Sequence, residues 1–121
     1  MIKALKFVSI PVSDQDRALE FYTKKLGFRV ITDQPFDSAQ RWIELGVGEG
    51  GAGVTLFTPE AHKDRVGSFT GISFTSDDVM ATWKEMAANG VEFVSEPVQA
   101  EWGTSAVFKD PDGNQFVLSS T

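Results

Sequence analysis

A single histidine and no cysteine among 121 residues leave few groups able to attack a bond or grip a soft metal. Disulfides, thiolate metal sites and a cysteine nucleophile are excluded. The histidine, His62, sits in a polar stretch, where it could serve as a base beside a cleft or be an ordinary loop residue. A catalytic zinc needs about three protein ligands rich in histidine, which this chain cannot supply. Carboxylate counts alone leave an all-oxygen magnesium or calcium site open. Glu44, in the alternating run RWIELG, could pair with a cationic ligand group or act as a base in a dry site. It could equally be a solvated acid paired with Arg41 or Arg29. Trp42 and Trp102 could stack on a planar ligand or hold a cation over their rings, or else fill a cleft or a subunit contact. Ser9, Ser73 and Ser119 have no strand-borne histidine to activate them, so they read as small fillers and hydrogen-bond donors.

The elements that must position these groups follow a pattern that occurs twice. Residues 7–14 (FVSIPVSD) line up with 71–78 (GISFTSDD), 26–33 (LGFRVITD) with 89–96 (NGVEFVSE), and 54–58 (VTLFT) with 116–120 (FVLSS). Three matches in one order at nearly constant spacing mark an internal repeat. In the first copy, residues 5–12 alternate and read as a strand. Ser13 or Asp14 can cap a helix carrying Leu19, Tyr22 and Leu26 on its core side, and Gly27 supplies a left-handed stop. Strands are expected at 28–32, 41–45 and 54–58. In the second copy a strand is expected at 71–75. Asp77 caps a helix with Val79, Trp83 and Met86 on one stripe, ended by Gly90. Further strands fall at 91–95, 104–109 and 115–119. The turn DPDGN at 110–114 is a strong hairpin signal, because proline presets one dihedral and Gly113 tolerates positive φ. The order is β-α-β-β-β twice: module one at 1–58, a loop at 59–70, and module two at 71–121. The glycine-rich segment 46–53 reads as a flexible hairpin turn. It lacks the Lys-Ser/Thr ending of a phosphate loop, and no helix follows it.

Strand alternation sorts the faces. Val8, Ile10, Ile43, Leu45, Val54, Leu56, Ile72, Phe74, Phe116 and Leu118 should pack under the helices. The opposite face then carries Phe7, Ser9, Trp42, Glu44, Thr55, Phe57, Gly71, Ser73, Val117 and Ser119, with Trp102 near by. Rings mixed with small hydroxyls and one acid suit a small-molecule site.

A net charge of −6 argues against general affinity for nucleic acid or anionic membranes. It suits solubility, and it would favour cationic ligands. No apolar run approaches the roughly 20 residues that span a bilayer, and the N-terminus lacks a signal-peptide pattern. A cytoplasmic protein is the expectation.

The segments IPVSDQDRALEFYTKKLGF and FKDPDGNQFVL resemble the first strand and helix, and the closing hairpin, of the glyoxalase/bleomycin-resistance/dioxygenase (vicinal oxygen chelate) superfamily. The resemblance covers essentially the whole chain. It implies an α+β fold of two tandem βαβββ modules, whose curved mixed sheets form a cleft with helices outside. It also implies a homodimer. Enzymes of the superfamily hold a divalent metal with four strand-borne side chains. By that resemblance the four positions fall on Phe7, Thr55, Gly71 and Val117. Phe, Gly and Val offer no side-chain donor, and a threonine hydroxyl is a poor one. The expectation is therefore a protein with no metal and no cofactor that binds a cationic or aromatic small molecule, as the antibiotic-sequestering members do. The alternative is a lyase or isomerase using Glu44 or His62 as base, with no metal or an atypical one.

Overall fold

The structure is a computed structural model describing residues 1–61 and 63–121. His62 lies outside the described residues. The chain divides into two compact units, Met1–Val66 and Gly67–Thr121.

In the first unit, alternation along FVSIP produces strand β1 (Phe7–Pro11), with Ile10 buried and Ser9 exposed. Asp14, in extended conformation, accepts a hydrogen bond from Arg17 N at 3.1 Å and starts helix α1 (Gln15–Glu20). The helix widens into a π-helical turn at Phe21–Lys25, where Leu26 N bonds to Phe21 O. Gly27 then ends it at φ +75°. Ala18, Phe21 and Tyr22 are its buried apolar residues, while Leu19 and Leu26 are only half-buried. The wider turn shifts the inward face from the expected stripe. Strands β2 (Arg29–Pro35), β3 (Arg41–Gly46) and β4 (Gly53–Phe57) complete a sheet of order β1-β4-β3-β2. β1 and β4 run parallel, and the other pairs are antiparallel. The 46–53 segment is the predicted hairpin turn, with positive φ at Gly48 and Gly51.

The second unit repeats this order. β5 (Phe69–Ser76) lies parallel to β9 (Gln115–Ser120), which pairs with β8 (Gly103–Lys109). One strand was expected at 91–95. Two short ones occur instead, β6 (Glu92–Phe93) and β7 (Val98–Ala100), both along the outer edge of β8. Pro97 explains the break, since it has no N–H to give to a ladder. Helix α2 (Val79–Ala88) is capped by Asp78 rather than Asp77: Asp78 Oδ1 accepts from Ala81 N at 3.0 Å. The 59–70 segment contains a short 3-10 turn at Lys63–Arg65 and the start of β5.

Each unit has its own core. The first packs Ile10, Val12, Ile43, Leu45, Val54 and Leu56 against Ala18, Phe21 and Tyr22, which is fully buried as expected of a core tyrosine. The second is aromatic: Phe108 and Phe116 stack at 5.5 Å, flanked by Phe93 and Phe74. Its hairpin is held by Asp110, which accepts from Asp112 N, Asn114 N and Asn114 Nδ2 at 2.8–3.0 Å. Asn114 Oδ1 in turn accepts from Gly67 N at 2.7 Å, which ties the start of the unit to its last turn. The result is an α+β fold of two mixed sheets, neither closed into a barrel, as the sequence pattern implied.

Candidate functional site

On the face of the first sheet away from its buried aliphatic side chains, Ser9, Thr55, Glu44 and Thr32 are successive register partners across β1, β4, β3 and β2. Thr55 is buried, and its hydroxyl donates to Ser9 Oγ at 2.8 Å. Trp42, two residues before Glu44 and so on the same face, is 37% exposed. The Phe7 ring meets it edge-on at 5.6 Å, and Phe36 lies at 6.2 Å on a tilted plane. Ser9, Phe36, Trp42, Thr55 and Phe57 line a cavity of about 220 Å³, with Gln40, Arg41 and Leu56 completing it. Two more polar hollows, of about 410 and 390 Å³, flank the 36–40 segment.

This wall is held by amides rather than by apolar packing. Gln15, buried at the first position of α1, donates from Nε2 to Arg41 O at 2.8 Å and to Leu56 O at 3.0 Å. Its Oε1 accepts from Arg41 N at 3.0 Å. Gln40 Oε1 accepts from Thr58 N and Oγ1. Asp37 Oδ1 accepts from Ala39 N and Gln40 N, while Phe36 N and Asp37 N donate to Gln40 O. The segment bearing Phe36 is thereby folded back onto the strand bearing Trp42.

Arg41 is engaged by Asp16 and, at 3.0 Å, by Asp33. Its guanidinium is held above its ordinary pKa, chiefly by the hydrogen bond to Asp16, against a smaller opposing effect of burial and with help from Asp33. Arg29 donates to Gly48 O at 2.6 Å. The pairing of Glu44 with Arg41 or Arg29, one of the alternatives the sequence left open, is not found among the described residues. The carboxylate of half-buried Glu44 makes no hydrogen bond or ion pair among the described residues.

In the second unit Ser73 is paired in register with Val117, and Thr75 with Ser119. Gly71 is exposed at φ +74°, where the β5–β9 register shifts. Trp102 lies in the turn before β8, 70% exposed and with no ring partner among the described residues. At the four positions that the resemblance assigns to metal donors, the side chains do not fit a metal: Phe7, Gly71 and Val117 have no side-chain donor atom, and the Thr55 hydroxyl is turned to Ser9. Among the described residues no three His, Asp or Glu converge on one point.

Residue typing passed over Phe36, Gln40 and Gln15. The first two lie in a segment without periodicity. Gln15 did leave a signal, since it shares the helical stripe of Ala18 and Tyr22, where a polar residue must find partners.

A family model, Glyoxalase/Bleomycin resistance protein/Dioxygenase superfamily, matches residues 4–118, and the chain belongs to that superfamily. It is 36% identical over 118 residues to the uncharacterized protein YetH of Bacillus subtilis (strain 168), covering 98% of each chain. Among solved structures it is similar to a member of the same superfamily from Sphaerobacter thermophilus DSM 20745, with 33% identity, coverage of 99% and 98%, and TM-score 0.90. It is also similar to TnmS3, an antibiotic binding protein from Streptomyces sp. CB03234, with 32% identity, coverage of 98% and 96%, and TM-score 0.88.

Proposed function

We propose that this chain captures a planar aromatic compound, cationic or neutral, on the open face of its first module and releases it unchanged. The observation carrying this is the cavity of about 220 Å³ whose walls include Trp42, Phe36 and Phe57 and whose polar lining comes from Ser9, Thr55, Gln40 and Arg41. Rings bind planar ligands by stacking, and a few hydroxyls orient them. The donor-poor residues at the four metal positions support capture over metal-assisted chemistry. The likeness to an antibiotic binding protein supports a protective, sequestering role. A cofactor-free homodimer in the cytoplasm belongs to the same reading.

The test is a fluorescence titration against a panel of planar and cationic antibiotics. Trp83→Phe and Trp102→Phe leave Trp42 as the sole tryptophan emitter of the three. Saturable quenching that weakens sharply in Phe36→Ala, which keeps Trp42 as emitter but removes the ring facing it, is the expected result. A panel with no quenching member would sink the proposal. A second reading, a lyase or isomerase with Glu44 as base, draws on the unpaired carboxylate beside the cavity. It requires turnover that Glu44→Gln abolishes.

A further inference from the structure

Hydrogen bonding in the Ser9–Thr55–Glu44 row has a direction. Thr55 is the donor and Ser9 the acceptor in the one bond that joins them. Ser9 is exposed, and no group among the described residues accepts its own hydroxyl hydrogen. At the other end Glu44 presents a carboxylate with no described partner. Arg41, the cation closest along β3, is already held by Asp16 and Asp33. The row therefore offers a free donor at one end and a free anionic acceptor at the other.

The spacing of these ends sets a length. Adjacent strands lie about 4.8 Å apart, so two steps, β1 to β4 to β3, separate Ser9 and Glu44 by about 10 Å. An apolar cavity of about 150 Å³ suffices for one benzene ring. The cavity of about 220 Å³ thus holds one to two rings, and it ends short of Glu44, which does not line it. A ligand touching both ends must leave the cavity and run over Thr55.

We propose that this row selects, within the capture reading on which it rests, a fused system of about three rings. The ligand carries a neutral acceptor at one edge, a carbonyl or ring nitrogen that takes the Ser9 proton, and an ammonium arm at the other, which Glu44 receives. Single-ring amines are too short to satisfy both ends. Anionic arms are repelled by Glu44, and Arg41, the guanidinium nearest along β3, is already engaged by Asp16 and Asp33.

Three acridones test this against the full chain by fluorescence anisotropy: unsubstituted acridone, an acridone with a dimethylaminoethyl carboxamide arm, and an acridone with a carboxymethyl arm. The cationic compound should bind roughly fivefold tighter than the neutral one, as expected for a partly exposed ion pair. The preference should shrink as salt is raised. The anionic compound should bind most weakly. Glu44→Gln should collapse the ratio of cationic to neutral affinity towards one. Ser9→Ala should weaken both compounds by about fivefold, the loss of one hydrogen bond. If Ser9→Ala misfolds because Thr55 loses its acceptor, the double variant Ser9→Ala/Thr55→Val leaves no hydroxyl unpaired and carries the same comparison. Neutral acridone binding with no preference for the cationic arm, or a preference that survives Glu44→Gln, overturns the row proposal and leaves capture standing. Failure of all three acridones to bind the unmodified chain, together with a silent antibiotic panel, overturns both.

Discussion

Replacing Gln15 by Met keeps the length and volume of the side chain but removes its donor and acceptor atoms. Three backbone groups then lose their partner: Leu56 O, Arg41 O and Arg41 N. The bond to Leu56 O is buried, and a buried acceptor left unpaired costs about 1–3 kcal/mol. The two bonds to Arg41 are only partly buried, so water can replace them, at a loss of about 0.5 kcal/mol each. The sum is about 2–4 kcal/mol, which in a domain of this size lowers Tm by roughly 10 °C. Gln15→Glu is the informative control. Its carboxylate can still accept from Arg41 N but faces two carbonyl oxygens, so at neutral pH it should be at least as destabilising as Met. Acid should relieve part of the deficit, since the protonated form regains one donor. Urea unfolding followed by circular dichroism measures the loss. Trp42 emission should shift as well, because Arg41 is the residue before it on β3. Gln15→Met unfolding within about 0.5 kcal/mol of the unmodified chain would show that the amide clamp holds nothing, and the account of how the cavity wall is positioned would fall.

Asp110→Ala should cost about 2–4 kcal/mol, as three donors in the DPDGN turn lose a buried acceptor; Asp110→Asn, which keeps one, should cost less by the same urea titration. Gly53→Ala should unfold the first unit more readily by about 2 kcal/mol or more, because the added Cβ would stand 2.5 Å from Leu45 O on a neighbouring strand; a Tm within a degree of the original would refute this. Arg41 has a folded pKa raised above the ordinary guanidinium value, so its contribution is complete below that value and is lost only as pH climbs through the raised one. The stability difference between the chain and Arg41→Gln should therefore stay flat between about pH 6 and 9, and a slope there would mean that another group titrates with it. Trp42→Ala should abolish ligand binding, read by the ligand's own fluorescence anisotropy, while lowering stability by less than about 2 kcal/mol, since the ring is more than a third exposed.

Much of the scaffold could be read from local patterns because local rules place it. Period-two alternation located β1, β3, β4, β8 and β9, and glycines with positive φ end both helices, at Gly27 and Gly90. The misreadings have equally local causes. Asp77 and Asp78 are both competent caps, and only backbone geometry selects the second. The strand expected at 91–95 shortens to Glu92–Phe93, and a second short strand at Val98–Ala100, after Pro97, was not expected. The candidate site was legible in part. Trp42, Ser9, Thr55 and Phe57 followed from strand parity, whereas Phe36 and Gln40 belong to an irregular segment. Their positions depend on hydrogen bonds to residues such as Asp37 and Thr58.

Residue order alone determined the repeated βαβββ plan and the inward and outward faces of the strands, which depend on side-chain chemistry and on periodicities of two and 3.6. The lack of side-chain donors at the metal positions was legible only through the family resemblance that assigns those positions. Tertiary structure decided which groups remain free. Arg41 is drawn to Asp16 and Asp33 and away from Glu44, Thr55 spends its proton on Ser9, and Gln15 reaches across to two strands. Apart from Arg41 and Asp33, eight positions apart across one hairpin, such pairings join residues 25 to 46 positions apart, and only a folded sheet brings them within hydrogen-bonding distance.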